Sequence, residues 1–265
     1  MNIQTCIIPA AGKGSRWAPV SGYLPKEMLP LIDKPVIEWV INNQVSAGCK
    51  QIIVVLNKNK ESIKTYLENH SNLNKKISLK FIYQNDPMGI SHAIYLCKDL
   101  IKNEPFGMAL PDLPTISKKP ILKQLAYALS KNNNNAHIIS FDKFSPENAN
   151  LYGECLLRGG NGNILEIEHF CPKLVGTTNK PHHYRNNIRM SGHFIFNPSI
   201  FAIIEKLLKT NKERVEISDR MALKTAIEEG QKVIGIKIVG HTYDTGYPKG
   251  YIRANTAFFK KKVNL

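Results

Sequence analysis

The stretch from Ile7 to Pro35, IIPAAGKGSRWAPVSGYLPKEMLPLIDKP, constrains the fold more than any other part of the chain. Apolar Cys6, Ile7 and Ile8 read as a short buried strand that runs straight into Ala10, Ala11, Gly12 and Gly14. Small residues let main-chain N–H groups approach a polyphosphate closely, and glycine takes φ angles closed to other residues. Arg16 and Lys26 follow. Arginine meets phosphate oxygens bidentately and lysine meets them as a point charge. A glycine turn alone is common in structural loops. Strand, small-residue loop, Arg16 and the later Pro-Lys-Glu-Met-Leu-Pro run are together far more specific. Glu27 either holds Lys26 through a charge-assisted hydrogen bond or caps the local turn.

The rest of the first half alternates in period. Val36 to Ala47 carries apolar residues at helical spacing and stops at Gly48; Gln51 to Leu56 is a strand, and a polar helix spans Lys60 to Asn69. Leu79 to Tyr83 is a strand, Ser91 to Ile101 a helix, and Phe106 to Leu110 another strand. Strands separated by helical segments predict parallel βαβ units. The fold class is therefore α/β, with a doubly wound, mostly parallel, Rossmann-like sheet. In such sheets the ligand lies beyond the carboxyl ends of the strands, where the glycine loop and Pro111-Asp112 both fall.

The second half predicts a β-hairpin- and helix-rich elaboration. His137 to Phe141 reads as a strand, and Leu151 to Leu157 with Ile164 to Phe170 as a hairpin around Gly159-Gly160-Asn161-Gly162. Arg189 to Asn197 is a strand, Ser199 to Lys209 and Ser218 to Glu229 are helices, Lys232 to Val239 is a strand, and Lys249 to Lys260 is a closing helix. No Pro-, Gly- or Ser-rich linker divides the chain. A single domain over 1–265 is expected, its two halves meeting near residue 135.

Charge narrows the partners. The chain has 36 basic and 21 acidic residues, a net charge of +15, which favours anionic ligands. The lysines are dispersed, aromatics do not interleave with them, and no nucleic-acid module is recognisable, so nucleic acid is not the expected partner. No run of 18 apolar residues is present and no signal peptide opens the chain, so no membrane partner is expected. Five scattered cysteines without CxxC spacing argue against disulfides or zinc and for the reducing cytoplasm.

Two aspartates stand at the ends of apolar strands, Asp112 in Ala109-Leu-Pro-Asp112 and Asp244 in Thr242-Tyr-Asp-Thr-Gly246. A carboxylate there is costly unless a cation meets it. A separated pair suits one Mg²⁺, which takes one or two carboxylates and leaves its other positions to phosphate oxygens and water. Gln84, in Tyr83-Gln-Asn-Asp-Pro-Met-Gly-Ile-Ser-His-Ala93, offers a donor and an acceptor that suit a pyrimidine edge.

These blocks resemble the sugar-1-phosphate nucleotidyltransferases, most closely the bacterial UTP–glucose-1-phosphate uridylyltransferase branch. The resemblance covers nearly the whole chain, thinning between about Ser117 and Ala149 and around residues 169–188. It implies an Mg²⁺-dependent enzyme joining an NTP to a phosphorylated sugar with release of pyrophosphate, in a homo-oligomer. Ala10, Ala11, Gly12 and Gly14 would wrap the nucleotide, and Gln84 and Gly89 would read the base, with Gly89 letting its backbone approach. Arg16, Lys26 and Asp112 would be catalytic, and Asp112 and Asp244 would hold the metal. His92 is not expected to be catalytic.

For the acceptor, the resemblance points to Gly153, Glu168, His169, Gly192 and Glu216, while Asp219 would cap the following helix. The family has Val-Glu-Lys-Pro where this chain has Ile167-Glu-His-Phe170, so its phosphate-binding lysine is His169 here. Either the phosphate holds His169 charged, or Lys173 takes the role, or the acceptor is not the usual hexose 1-phosphate. The donor is also open: UTP comes first, with CTP and dTTP behind it, because a flipped glutamine amide serves either polarity. A cytidylyl- or thymidylyltransferase, or a silent nucleotide-binding regulatory homologue, are the alternatives.

Overall fold

The computed structural model describes residues 2–143, 155–170 and 188–263. Its centre is a nine-stranded sheet. The strands are β1 (Thr5–Pro9), β2 (Gln51–Leu56), β3 (Ser78–Tyr83), β4 (Phe106–Ala109), β5 (His137–Lys143), β6 (Cys155–Asn161), β7 (Ile164–Phe170), β8 (Ile188–Phe196) and β9 (Val233–Lys237). They lie in the order β3-β2-β1-β4-β8-β5-β9-β7-β6. β1 pairs in parallel with β2 and β4, β2 with β3, and β5 with β9. Only β7 and β8 run against the rest. The expected α/β, mostly parallel sheet is what forms.

Period-two alternation sorts the strand residues into two cores. Cys6 and Ile8 of β1 join Ile52, Val54 and Leu56 of β2 on one face, and Ile7 joins Ile53 and Val55 on the other. On the first face lies α1 (Val36–Ala47), burying Ile37, Val40 and Ile41, and it ends at Gly48, where φ is 105°. The polar helix α2 (Glu61–Glu68) adds Ile63 and Leu67 to the same core. On the second face lie α3 (Ile90–Tyr95), α5 (Ile200–Thr210) and α6 (Asp219–Glu228), through Ala93, Ile94, Ile203, Ile204, Ala222 and Leu223. Each fully buried aliphatic side chain contributes about 1.5–3 kcal/mol, and both faces are covered, as a doubly wound sheet requires.

Four local features differ from expectation. A helix that the sequence reading missed, α4 (Ile121–Ser130), closes the first face with Ile121, Leu122, Leu125 and Leu129. The helix expected over Ser91–Ile101 ends at Tyr95 and continues as a tighter turn at Lys98–Leu100. The β6–β7 hairpin turns at Gly162-Asn163, because Gly159, Gly160 and Asn161 are still paired with β7. Ser218, not Asp219, caps α6, its hydroxyl accepting from the Met221 N–H at 3.2 Å.

The last helix, α7 (Pro248–Lys262), packs on the beginning of the chain. Ala254 and Phe258 form a third apolar cluster with Leu29, Leu31 and Val36. Trp39 meets Phe258 edge-on at 4.9 Å, and Trp17 meets Tyr251 at 5.5 Å between ring centroids.

Candidate active site

The carboxyl ends of β1, β3 and β4 open into a cleft of about 420 Å³. Ala11, Gly12, Gly14, Arg16, Lys26, Gln84, Gly89, Asp112, Glu216 and Asp244 line it together with Lys13 and Glu27. Residues separated by more than two hundred positions in the chain thus share one wall. Among the described residues, the N–H groups of Ala11, Gly12, Lys13 and Gly14 donate to no protein acceptor. Gly12 and Lys13 are exposed and Gly14 half-buried, so this run of donors is open to an anionic ligand entering the cleft. A Cβ on Gly12 would meet nothing within 4 Å, so no protein atom demands glycine there. Gly14 does need to be glycine, with φ at 71° and Ser21 Cβ 3.3 Å from where its own Cβ would lie. Ala10 is fully buried beneath the loop, its N–H bonded to the Val55 carbonyl at 2.8 Å.

Charge is concentrated at the cleft floor. Lys26 donates to Asp112 Oδ2, and Arg16 lies 3.8 Å from Asp244 Oδ2. Burial would raise the Asp112 carboxyl, but the Lys26 ammonium and then Arg16 hold it below the usual carboxylate range. Burial also works against the Lys26 ammonium, yet Asp112 and Glu27 keep its pKa above the ordinary lysine value. Asp244 is pushed upward, by burial first and by the Asp112 carboxylate second. A carboxylate whose proton affinity is raised by a neighbouring carboxylate marks a pair that a cation would stabilise.

Gly246 shows how close they come. A Cβ there would lie 2.7 Å from Asp112 Oδ2, 2.9 Å from Asp244 Oδ1 and 2.7 Å from an Arg16 guanidinium nitrogen. The absent side chain is what lets the three groups converge. Among the described residues no group of three or more His, Cys, Asp or Glu gathers as a metal site. The donor set is thus a carboxylate pair, the set that suits a Mg²⁺ shared with phosphate oxygens. Thr245, on the same turn, donates to the Asp112 carbonyl through its N–H (3.0 Å) and its hydroxyl (2.9 Å), while Trp17 Nε1 donates to the Thr245 carbonyl at 2.9 Å. Thr245 and Gly246 were not singled out from sequence, although both lie in the Thr242–Gly246 motif.

Gln84 is buried, and its amide has a defined polarity. Nε2 lies 3.0 Å from the Gly89 carbonyl and 3.1 Å from His92 Nδ1. A carbonyl only accepts, so the atom facing Gly89 must be the amide nitrogen. His92 Nδ1 then accepts the second N–H. Burial lowers the His92 pKa against an opposing hydrogen bond to the Asp86 main chain, which keeps the ring neutral and able to accept. Both donors of Gln84 are used, and Oε1 is left without a protein partner among the described residues. The flipped amide considered from sequence is thereby excluded. Gly89 has a further reason to be glycine beyond the one expected. Its Cβ would fall 2.5 Å from the Ile217 carbonyl oxygen, with φ at 90°, so the glycine admits the 215–219 segment, and Gly89 itself lines the cleft. That segment carries Glu216 to the cleft, held by Ile217 N–H to the Met88 carbonyl at 2.9 Å and Ser91 N–H to the Ile217 carbonyl at 3.1 Å.

The other acceptor candidates are placed differently. Gly192, with φ at 75°, stands behind the wall: its Cβ would meet Leu113 Cδ1 at 2.2 Å, and its carbonyl accepts from the Leu110 N–H. Glu168 and His169 lie on β7, the first exposed and the second half-buried, and neither lines the cleft. Gly153 and Lys173 lie outside the described residues. Glu27 takes neither of its expected parts. Its carboxylate accepts from Lys60 Nζ at 2.9 and 2.8 Å, a lysine that the sequence reading left on a polar helix.

The sequence model for nucleotidyl transferases matches residues 5–261. A UTP–glucose-1-phosphate uridylyltransferase of Bacillus subtilis (strain 168) is 27% identical, over 99% of this chain and 93% of that protein. UTP–glucose-1-phosphate uridylyltransferase 1 of Streptococcus pyogenes serotype M1 is 29% identical, over 96% and 88%. Among solved structures, a UDP-glucose pyrophosphorylase complexed with UDP-glucose superposes with a TM-score of 0.85 at 29% identity, covering 98% of this chain and 99% of that one. A UTP-bound UGPase from Acinetobacter baumannii, at 22% identity and a TM-score of 0.80, shares the fold.

Proposed function

The chain belongs to the nucleotidyl transferase family, and from that premise we propose that it transfers the uridylyl group of UTP to a sugar 1-phosphate. Glucose 1-phosphate is the default acceptor, supported by the relatives of nearly equal length. An acceptor phosphate oxygen attacks the α-phosphorus of UTP, the bond to the β-phosphate oxygen breaks, and pyrophosphate leaves. That oxygen is already nucleophilic at neutral pH, so no general base is needed. The work falls to alignment and charge neutralisation.

The observation that carries this reading is the convergence of unpaired loop N–H groups, Arg16, Lys26, Asp112 and Asp244 on one cleft. Loop N–H groups and Lys13 hold the polyphosphate, while Arg16 and Lys26 neutralise charge that develops as pyrophosphate departs. Asp112 and Asp244 would hold Mg²⁺, which supplies further charge neutralisation on the phosphates. Glu216 is the residue best placed to meet a sugar hydroxyl. The unpartnered Oε1 of Gln84 supports a base that donates a ring N–H from position N3. Uracil has one at N3; cytosine presents a lone pair there and is disfavoured. Thymine shares the N3–H, so dTTP is the second reading.

Pyrophosphate release across the four ribonucleotides and dTTP, each with a panel of sugar 1-phosphates and Mg²⁺, tests this. UTP with glucose 1-phosphate should turn over fastest. Faster turnover with CTP would overturn the base reading. Nucleotide binding without turnover on any acceptor would favour a silent regulatory homologue.

A further inference from the structure

Glu27 and Lys60 form a buried, two-point ion pair directly behind the cleft. Their residues are 1% and 6% exposed, and both carboxylate oxygens are within 2.9 Å of the ammonium. Such pairs are weak stabilisers, because desolvating two charges offsets most of their attraction. Position is more informative. Glu27 follows Lys26 in the short helical turn Lys26–Met28, and both residues belong to the cleft wall. The wall carries Lys13, Arg16 and Lys26 against Glu27, Asp112, Glu216 and Asp244. Unpaired, the Glu27 carboxylate would compete with Asp112, and with any phosphate, for the neighbouring ammonium.

Lys60 arrives from outside the wall. It ends the turn Lys58–Lys60 that follows β2, and its N–H bonds to the Asn57 carbonyl at 3.0 Å. The same turn also touches the glycine loop, through Asn57 Nδ2 donating to the Ala11 carbonyl at 2.5 Å. One segment therefore braces the loop that would hold the polyphosphate and neutralises the carboxylate beside Lys26.

We propose that Lys60 is a positioning residue for nucleotidyl transfer: by binding Glu27 at both oxygens it keeps that carboxylate off Lys26, leaving the Lys26 ammonium to Asp112 and the substrate phosphates. This rests on the reading of Lys26 as a phosphate-neutralising residue. A merely structural pair would affect folding and leave the contribution of Lys26 intact. A positioning pair acts through Lys26, and its loss cannot add to the loss of Lys26 itself.

The test is a double-mutant cycle on kcat/KM for UTP, with each variant's folding followed by thermal melting. Lys60→Met should lower kcat/KM by about 10–100-fold, and adding Lys26→Ala should leave the double variant no worse than Lys26→Ala alone. Glu27→Gln in the Lys60→Met background removes the freed carboxylate and should restore activity to within about threefold of wild type. Multiplicative losses, or a folded Glu27→Gln/Lys60→Met variant as impaired as Lys60→Met, would overturn the proposal while leaving Lys26 in its role. Normal turnover by Lys26→Ala would overturn the reading of Lys26 and this proposal with it. If Lys60→Met does not fold, the paired neutral variant decides: near-wild-type activity supports the proposal and strong impairment overturns it.

Discussion

Thr245 grips the main-chain carbonyl of Asp112 twice, with its N–H at 3.0 Å and its hydroxyl at 2.9 Å. The two ends of the cleft floor are thereby locked in register, since Asp244 is the neighbour of one partner and the carboxylate of Asp112 belongs to the other. The main chains that carry the two carboxylates are thereby held at a fixed spacing.

That rigidity makes Gly246 a sensitive position. Its Cβ would sit within 2.9 Å of Asp112, Asp244 and Arg16 atoms, closer than real Cβ contacts allow. Gly246→Ala should displace at least one of them and lower kcat by about 100-fold, the scale of a 1 Å misplacement at a reacting centre. The half-saturating Mg²⁺ concentration should rise as well. Steady-state kinetics against Mg²⁺ check both, and an unchanged Mg²⁺ dependence would detach this turn from the cation site.

Lys26→Ala and Asp112→Asn should fold and yet lose most of their turnover. Removing one charge contact made in the transition state commonly costs about 2.7–4 kcal/mol, roughly a hundred- to thousandfold in rate. Single-turnover pyrophosphate release, with circular dichroism to verify folding, measures this. Turnover near wild type in either variant would take that residue out of the chemistry.

The base contact proposed for the Gln84 amide can be probed with synthetic nucleotides. CTP and N3-methyl-UTP both lack the N–H that Oε1 would accept. Leaving Oε1 unpaired beneath a bound base should cost about 1–3 kcal/mol, roughly 5–150-fold in kcat/KM relative to UTP. dTTP should not suffer this loss. His92→Phe should narrow the UTP/CTP ratio, because Gln84 then keeps only the Gly89 carbonyl. The preference should also weaken in acid, below the ordinary histidine range, as protonation turns His92 Nδ1 from acceptor into donor. Equal use of UTP and N3-methyl-UTP would refute the contact.

His193 links stability to pH. It is fully buried on β8, its Nε2 meets no partner among the described residues, and burial lowers its pKa from the ordinary 6.5 to about 4. The native state thus binds the proton less readily than the unfolded chain does. The associated stability is complete above pH 6.5 and is lost as pH falls through the interval toward 4, up to about 3 kcal/mol. Urea unfolding of wild type and His193→Phe at pH 7 and pH 4.5 should show the pH slope shrinking in the variant. Parallel slopes would exclude His193 as the titrating group.

Much of this was legible in the sequence because the relevant signals are local. Alternation in Cys6-Ile7-Ile8 and in Gln51–Leu56, the helical spacing of α1 and its stop at Gly48 depend on near neighbours, and the strands formed where their periodicity put them. Resemblance located the motifs that meet in the cleft. What could not be read was pairing at a distance. Nothing local says that Lys60 is buried against Glu27, or that Thr245 bonds to residue 112, because both contacts arise from topology. Gly89 makes a related point: a glycine signals close approach without saying of what, and the Ile217 backbone is one such neighbour. The helix Ile121–Ser130 was overlooked although Ile121, Leu125 and Leu129 keep a regular four-residue spacing.

The packing of α7 against Leu29, Leu31 and Trp39 ties function to the order in which a ribosome makes the chain. The glycine loop is among the first segments synthesised, but the helix that packs on Trp17, Leu29 and Leu31 and the turn bearing Asp244 and Gly246 come more than two hundred residues later. A nascent chain that has reached only the end of α4 carries the loop, Arg16, Lys26 and Asp112 and lacks the second carboxylate. The cleft is therefore completed late in translation, and a partly made chain presents its cations without the partner that would let it commit a nucleotide to transfer.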